Sequence, residues 1–472
     1  MLVKLVSGFV LGCVVGTVLC SQPTPADTSR PNRVTVSVSN KLVIDRLASS
    51  LFRCPDRFWP GWKPASLGIL LVDVPKENAV IVRGVTSSLD NEKRVTVAPV
   101  SYDSLPSHLK QKRVGHAVIP WVFNERMLAV HYASSNEAEI DRVIGLVLHE
   151  AFHLSGQSWR VDFGFARGLH FPDNARFRYL RRRIIDDLRE AVRSEDFGGI
   201  AFWLNEIREK HGLDQKRLLQ LDAVEGTAEY VLAIGSSIAS QGCDENERVI
   251  LEGAFARMDA KWRDQSAYSV TAFPDVEAYV IGAYSGLLLR RAGYPGWEKA
   301  VEKGQPMLHL LVQQVAAKAR AEDPELDARI QQEVELRNDF IEPKLDALRA
   351  SLRSSQHTVV SVPRARLGSL VPLYGYVTYE AESADDVLIA LGARVQAYLD
   401  DFFGSLELRG KDVLLSNHTP CGSYRQAVFT VAKGSTTEIG GGVKIVDANV
   451  FAEIGTTIKR ADGKVPWLCV PP

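Results

Sequence analysis

Ile140, Val143, Ile144, Val147 and Ala151 recur at helical spacing, and Leu146 and Leu148 are apolar on the remaining faces, so this helix should be buried nearly all round in its second half. Ser134-Ser135-Asn136 supplies N-caps. Ser134 with Glu137 and Asn136 with Glu139 have capping-box spacing, which starts the helix near Glu137, and Leu154-Ser155-Gly156 ends it. Upstream, from residue 34 to about 132, short helices mix with strand-like runs at 67–74, 80–82, 95–100 and 127–132. Downstream, 173–347 is almost wholly helical in pattern, with breaks at Gly198-Gly199, Phe273-Pro274 and Gly293-Tyr294-Pro295-Gly296. After His357 the texture changes to strands at 359–362, 370–379, 427–431, 442–446 and 456–459, with one helix expected at 385–403. The fold class is therefore α+β: a small sheet plus a mainly helical lobe over 34–350, then a β-rich accessory domain over 357–472.

Within the first helix, the apolar run is interrupted by His149-Glu150-Ala151-Phe152-His153. On a helix His149 and His153 lie one turn apart on the same face, so both imidazoles can reach one tetrahedral ion at about 2.0 to 2.1 Å. Glu150 then sits beside the open coordination position. The alternative is a pair of ordinary core histidines bonded to backbone carbonyls.

Two imidazoles do not hold zinc firmly, and the run 218–232 offers the missing donor. Leu221, Val224, Ala228 and Val231 form an apolar stripe, and Glu225 and Glu229 lie one turn apart on an adjoining face. One carboxylate is placed for the metal and one for a ligating imidazole. In this reading His149, His153 and Glu225 bind one Zn2+, while Glu229 orients a histidine and raises its basicity. A solvated acidic helix face is the bland alternative.

His149-Glu150-Ala151-Phe152-His153 followed by Glu225-Gly226-Thr227-Ala228-Glu229-Tyr230 resembles the glutamate-zincin, or peptidase MA-like, group of zinc metallopeptidases. The run 278–289, Ala-Tyr-Val-Ile-Gly-Ala-Tyr-Ser-Gly-Leu-Leu-Leu, is similar to the helix that follows the active site in bacterial MA-like proteins, and Phe58-Trp59-Pro60-Gly61-Trp62 is similar to their segment before a strand. The resemblance spans residues 34 to 315 in outline and implies a zincin-like catalytic domain. It also implies that the first Glu of the second motif supplies the third ligand and that the acidic residue four positions later supports a histidine. The 71 residues between His153 and Glu225 exceed the spacing of the best-known members.

The expected chemistry is peptide-bond hydrolysis of a peptide or protein substrate, with zinc activating water and Glu150 as general base. Tyr230, Tyr279, Tyr284 and His170 are candidate donors to the transition state. Two other readings keep the zinc: a catalytically silent binding or scaffold protein, and a cell-wall amide hydrolase.

A net charge of -1 over 472 residues excludes a general electrostatic case for nucleic acid or acidic membranes. Arg181-Arg182-Arg183, with Asp186, Asp187 and Glu190 close behind, reads as a solvated mixed-charge helix face. Residues 1–20 read as an export signal, with Lys4, an apolar stretch at 5–19 and a polar break at Ser21-Gln22-Pro23, and 21–33 read as a flexible linker. Membrane association would come only through an uncleaved signal or a lipid anchor at Cys20 or Cys13. Leu19 is bulky where a small residue is wanted, and Cys13 leaves a very short apolar core, so a secreted or periplasmic soluble protein is expected.

Four cysteines follow the signal, Cys54, Cys243, Cys421 and Cys469, with no C-x-x-C spacing. Chain proximity favours Cys421 with Cys469, leaving Cys54 with Cys243; four buried thiols are the alternative. Asn417-His418-Thr419 is a sequon.

Overall fold

The computed structural model describes residues 36–85, 95–105, 109–110, 116–118, 121–122, 125–133, 136–157, 159, 169–211, 215–262, 274–363, 367, 371–372, 376–379, 387–398, 405–416, 419–423, 426–439, 442–454, 458–462 and 465–470. The export signal with Cys13 and Cys20, the linker, Ser134, Phe273 and the Asn417-His418 half of the sequon lie outside the described residues. The described helices and strands all lie within residues 36–472, which form one compact unit.

Helix α1 (Val38–Ser49) opens it, with the Ser37 side chain accepting from the Asn40 amide. The strands β1 (Ile69–Asp73), β2 (Asn78–Gly84), β3 (Val95–Val100), β4 (His116–Val118) and β7 (Leu128–Tyr132) make a sheet in the order β3-β2-β1-β7-β4. Between β4 and β7 a hairpin of β5 (Trp121–Val122) and β6 (Glu125–Arg126) pairs with itself. β1 and β7 run parallel and the remaining neighbours antiparallel. Ile69, Leu71, Val80, Val82, Leu128 and Val130 face the main core, whereas Leu70, Val72, Ile81 and Ala129 face a smaller one with Val100, Leu105 and Leu109. Apolar residues are needed on both faces, so β1 and β7 read as continuous hydrophobic runs.

The main core continues into the helices. α2 (Glu137–Ala151) starts at the predicted place, with Asn136 capping the Glu139 amide. A single π turn (Phe152–Gly156) follows, closed by the Gln157 amide donating to the Phe152 carbonyl. After β8 (Leu169–His170) come α3 (Ala175–Ser194), α4 (Gly198–His211), α5 (Gln215–Gln241), α6 (Glu247–Trp262), α7 (Pro274–Arg291), α8 (Trp297–Glu302), α9 (Met307–Val312) and α10 (Pro324–Arg353). α5 lies against both α2 and α7, and these three helices carry the candidate chemistry. Among the described residues, no helix is long and apolar enough to cross a membrane.

The C-terminal region is β-rich, as expected. β9 (His357–Pro363), β10 (Val371–Pro372), β11 (Tyr376–Tyr379), β12 (Val387–Tyr398), β13 (Ser405–Ser416), β14 (Gln426–Ala432), β15 (Thr436–Ile439), β16 (Gly442–Asp447), β17 (Val450–Ile454), β18 (Ile458–Asp462) and β19 (Val465–Cys469) share one sheet with β8, which pairs with β11. Val360, Val362, Leu406, Leu408, Phe429 and Leu468 belong to its own core. The helix expected at 385–403 is instead strand β12, paired with β13 from Leu388↔Leu415 to Tyr398↔Ser405. Ala and Leu gave the segment helical propensity, but pairing on both edges, with β13 on one side and β10 and β11 on the other, outweighs a preference of a few tenths of a kcal/mol per residue.

Cys54 bonds Cys243 and Cys421 bonds Cys469, the connectivity favoured by chain proximity. Two disulfides fit an oxidising, exported location.

Candidate metal centre

His149 lies in the last turn of α2 and His153 in the π turn that follows, so one continuous helical segment presents both rings. Their Nε2 atoms are 3.0 Å apart. Glu225, from α5, brings its Oε2 to 3.2 Å from His153 Nε2 and 3.5 Å from His149 Nε2. All three side chains are buried, and their donor atoms lie within 4.8 Å of one another. Two donors at about 2.0 to 2.1 Å from one tetrahedral ion are separated by about 3.3 Å, a value the three observed distances bracket.

The outward nitrogens face other side chains, His153 Nδ1 within a hydrogen bond and His149 Nδ1 at a longer approach. His149 Nδ1 lies 3.5 Å from Glu229 Oε2, and His153 Nδ1 lies 2.7 Å from Gln157 Oε1. Gln157 Nε2 in turn donates to the Val224 carbonyl and to Thr227 Oγ1, each at 2.6 Å. The facing Nε2 atoms and a carboxylate thus form a buried pocket of lone pairs that calls for a cation. Burial pulls the His149 pKa down, but hydrogen bonds to Glu225 and Glu229 and the charges of Glu229 and Glu150 more than offset it, and the pKa rises to about 9. The residues therefore fit a divalent ion.

No family model, curated protein or solved structure matches the chain. The site has to be read from its own donors.

Glu150 is half-buried on the last turn of α2, close enough for its charge to act on His149. Of the four candidate transition-state donors, Tyr279 on α7 stands edge-on to the His149 ring with centroids 5.6 Å apart. Tyr230 faces elsewhere: its ring packs against Trp59 and Trp297, and its hydroxyl accepts from Arg290 at 3.0 Å. It points away because it is five residues from Glu225 on α5, about 140° around the helix. Tyr284 is likewise turned from the centre and stacks on Phe255 of α6. His170 is in β8, and its side chain lies outside the described residues.

Sequence reasoning missed two groups. Gln157 carries no motif signal beyond its place four residues after His153. Arg181 was expected on a solvated face, yet it is 3% exposed and its guanidinium pairs with both oxygens of Asp222 at 3.0 and 2.7 Å. Arg181 Nε and Arg178 also bind Glu277, at 2.9 and 3.0 Å. α3 is covered by α4, α7 and α10, so one edge of its charged stretch is interior; Arg182 keeps an i,i+4 pair with Asp186, while Asp187 is buried and accepts from Trp203. Asp222 precedes Glu225 by one turn of α5, which joins this ionic cluster to the donor set. The signal was present in the α5 sequence as a third acid, Asp222, in phase with Glu225 and Glu229.

Proposed function

We propose that this chain is an exported zinc metallopeptidase of glutamate-zincin type, which hydrolyses peptide bonds with Glu150 as general base. The observation that carries the reading is the convergence of His149 Nε2, His153 Nε2 and Glu225 Oε2 in one buried cluster, with Glu150 on the same helix as the imidazoles. A borderline set of two nitrogens and one carboxylate oxygen, with no thiolate, suits zinc in a catalytic setting with a free coordination position.

Bound there, zinc would polarise the substrate carbonyl and lower the pKa of water towards 7. Every other task falls to the chain. Glu150 accepts the proton of the attacking water and returns it to the leaving amine. Glu229 and Gln157 hold the two imidazoles from behind, and Tyr279 is the nearest candidate to donate to the developing oxyanion. Among the described residues β4 is the outermost strand on its side of the small sheet and lies against α2, an edge along which an extended peptide can align.

The test is metal analysis and cleavage of a broad peptide library by the mature protein beside Glu150→Gln. Near-stoichiometric zinc in both, with turnover reduced by about 10²-fold or more in the variant, supports the reading. Equal turnover would remove Glu150 from the chemistry, and zinc without turnover on peptides would favour a binding protein or an amide hydrolase acting on cell-wall material.

A further inference from the structure

We infer that Gln157 is a positioning residue that sets the tautomer of His153 and locks the π turn to α5, so that His153 and Glu225 are presented together. The inference rests on the metal-site reading above and adds to it a residue outside both sequence motifs.

Hydrogen-bond directions along this relay can be assigned without reference to any metal. A backbone carbonyl can only accept, so the Gln157 atom 2.6 Å from the Val224 oxygen is its NH2 group. Thr227 Oγ donates its single proton to the Ala223 carbonyl at 2.7 Å and accepts from Gln157 Nε2 at 2.6 Å. Both amide protons of Gln157 are therefore committed to α5. Its Oε1 must then face His153 Nδ1, 2.7 Å away, and an amide oxygen can only accept. The proton of a neutral His153 is thereby assigned to Nδ1, leaving the Nε2 lone pair directed at the donor cluster.

Gln157 is 3% exposed, so no solvent competes for these bonds. Its α5 partners bracket Glu225: Val224 is the preceding residue and Thr227 follows two positions later. The same amide therefore fixes the ring of one ligand and the backbone that carries another. Local geometry allows this because α2 passes into a π turn at Phe152, and the i+5 bond from the Gln157 amide to the Phe152 carbonyl brings residue 157 back beneath His153. The two imidazoles consequently have unlike supports, a carboxylate for His149 and an amide for His153. The amide fixes orientation without adding charge to a cluster that already holds Glu225 and Glu229.

Gln157→Leu keeps bulk and removes the relay. Competition against a chelating zinc indicator should show zinc affinity lowered about 10- to 100-fold, the usual cost of losing a residue that orients a ligand. Nitrogen-15 spectra of the histidine-labelled, metal-free parent should show neutral His153 protonated at Nδ1, with that preference lost in the variant. Unchanged zinc affinity in a folded Gln157→Leu would overturn the inference, as would an Nε2-protonated His153 in the parent. The parent's spectra need neither zinc nor the variant, so they decide the tautomer even if the parent binds no zinc, an outcome that would count against the peptidase proposal alone.

Discussion

A Cβ placed on Gly282 would lie 2.3 Å from the α-carbon of Gly226 and 2.6 Å from the carbonyl oxygen of Asp222. α5 and α7 thus touch backbone to backbone beside Glu225, and any side chain would separate them. Gly282→Ala should cost about 1 to 3 kcal/mol, as overpacking of a tight core does, and should weaken metal retention because Glu225 moves with the crossing. Thermal unfolding and zinc content of the purified variant check this. A parent-like Tm would show that the helices have room to spare.

Glu225 and Glu229 should differ in kind when each is changed to Gln. Glu225→Gln removes the anionic donor and should abolish stoichiometric zinc after dialysis. Glu229→Gln leaves three donors and should bind a full equivalent at saturation, with affinity lower by about 10- to 100-fold. Titration of both apo-proteins with zinc separates the cases. Equal behaviour would mean that the roles of the two carboxylates are misassigned.

The raised pKa of His149 sets a sign for pH dependence. In the metal-free protein His149 keeps its proton up to about 9, against 6.5 for an unperturbed imidazole. The native state binds that proton more tightly than the unfolded chain, so its stabilisation is complete below pH 6.5, declines as the pH rises to about 9 and is gone above it. Melting curves of the apo-protein should therefore fall through this window. Zinc uptake at pH 7.5 should release about one proton, measurable by calorimetry in buffers of different ionisation enthalpy. An apo-protein whose Tm climbs across the window would contradict the assignment.

Arg181→Met should be among the most destabilising changes in the helical lobe. It leaves Asp222 and part of Glu277 as buried carboxylates without their guanidinium, a loss of about 3 to 5 kcal/mol. Replacing Asp222 with Leu in the same chain should recover part of that loss, because it removes one of the stranded charges. Chemical denaturation of the single and double variants tests the pair, and strictly additive effects would deny the coupling.

Motif spacing made the donor set legible because His149, His153, Glu225 and Glu229 all sit on helices, where spacing in the chain translates directly into a shared face. The capped start of α2 and the Cys421–Cys469 bond were legible for similarly local reasons, and Cys54–Cys243 was the pair that remained. β12 was not, since its strand state is decided by pairing on both edges, with partners such as Leu415 for Leu388 and Val371 for Arg394 that lie outside the segment. Nor was the inward turn of Arg181, whose local mixed-charge pattern is the same whether α3 is covered or bare. Gln157 escaped notice because its role depends on a single π turn, a backbone detail that the Phe-His-Leu-Ser-Gly string does not announce.

The Cys54–Cys243 bond encloses both motifs within a span of 189 residues. His149, His153 and Glu225 all fall inside that covalent ring, so a proteolytic nick between the two motifs would divide the ligands between two polypeptides without letting either drift away. A nicked molecule would run as one species until a reductant was added, which gives an exported chain exposed to proteases a form of damage tolerance.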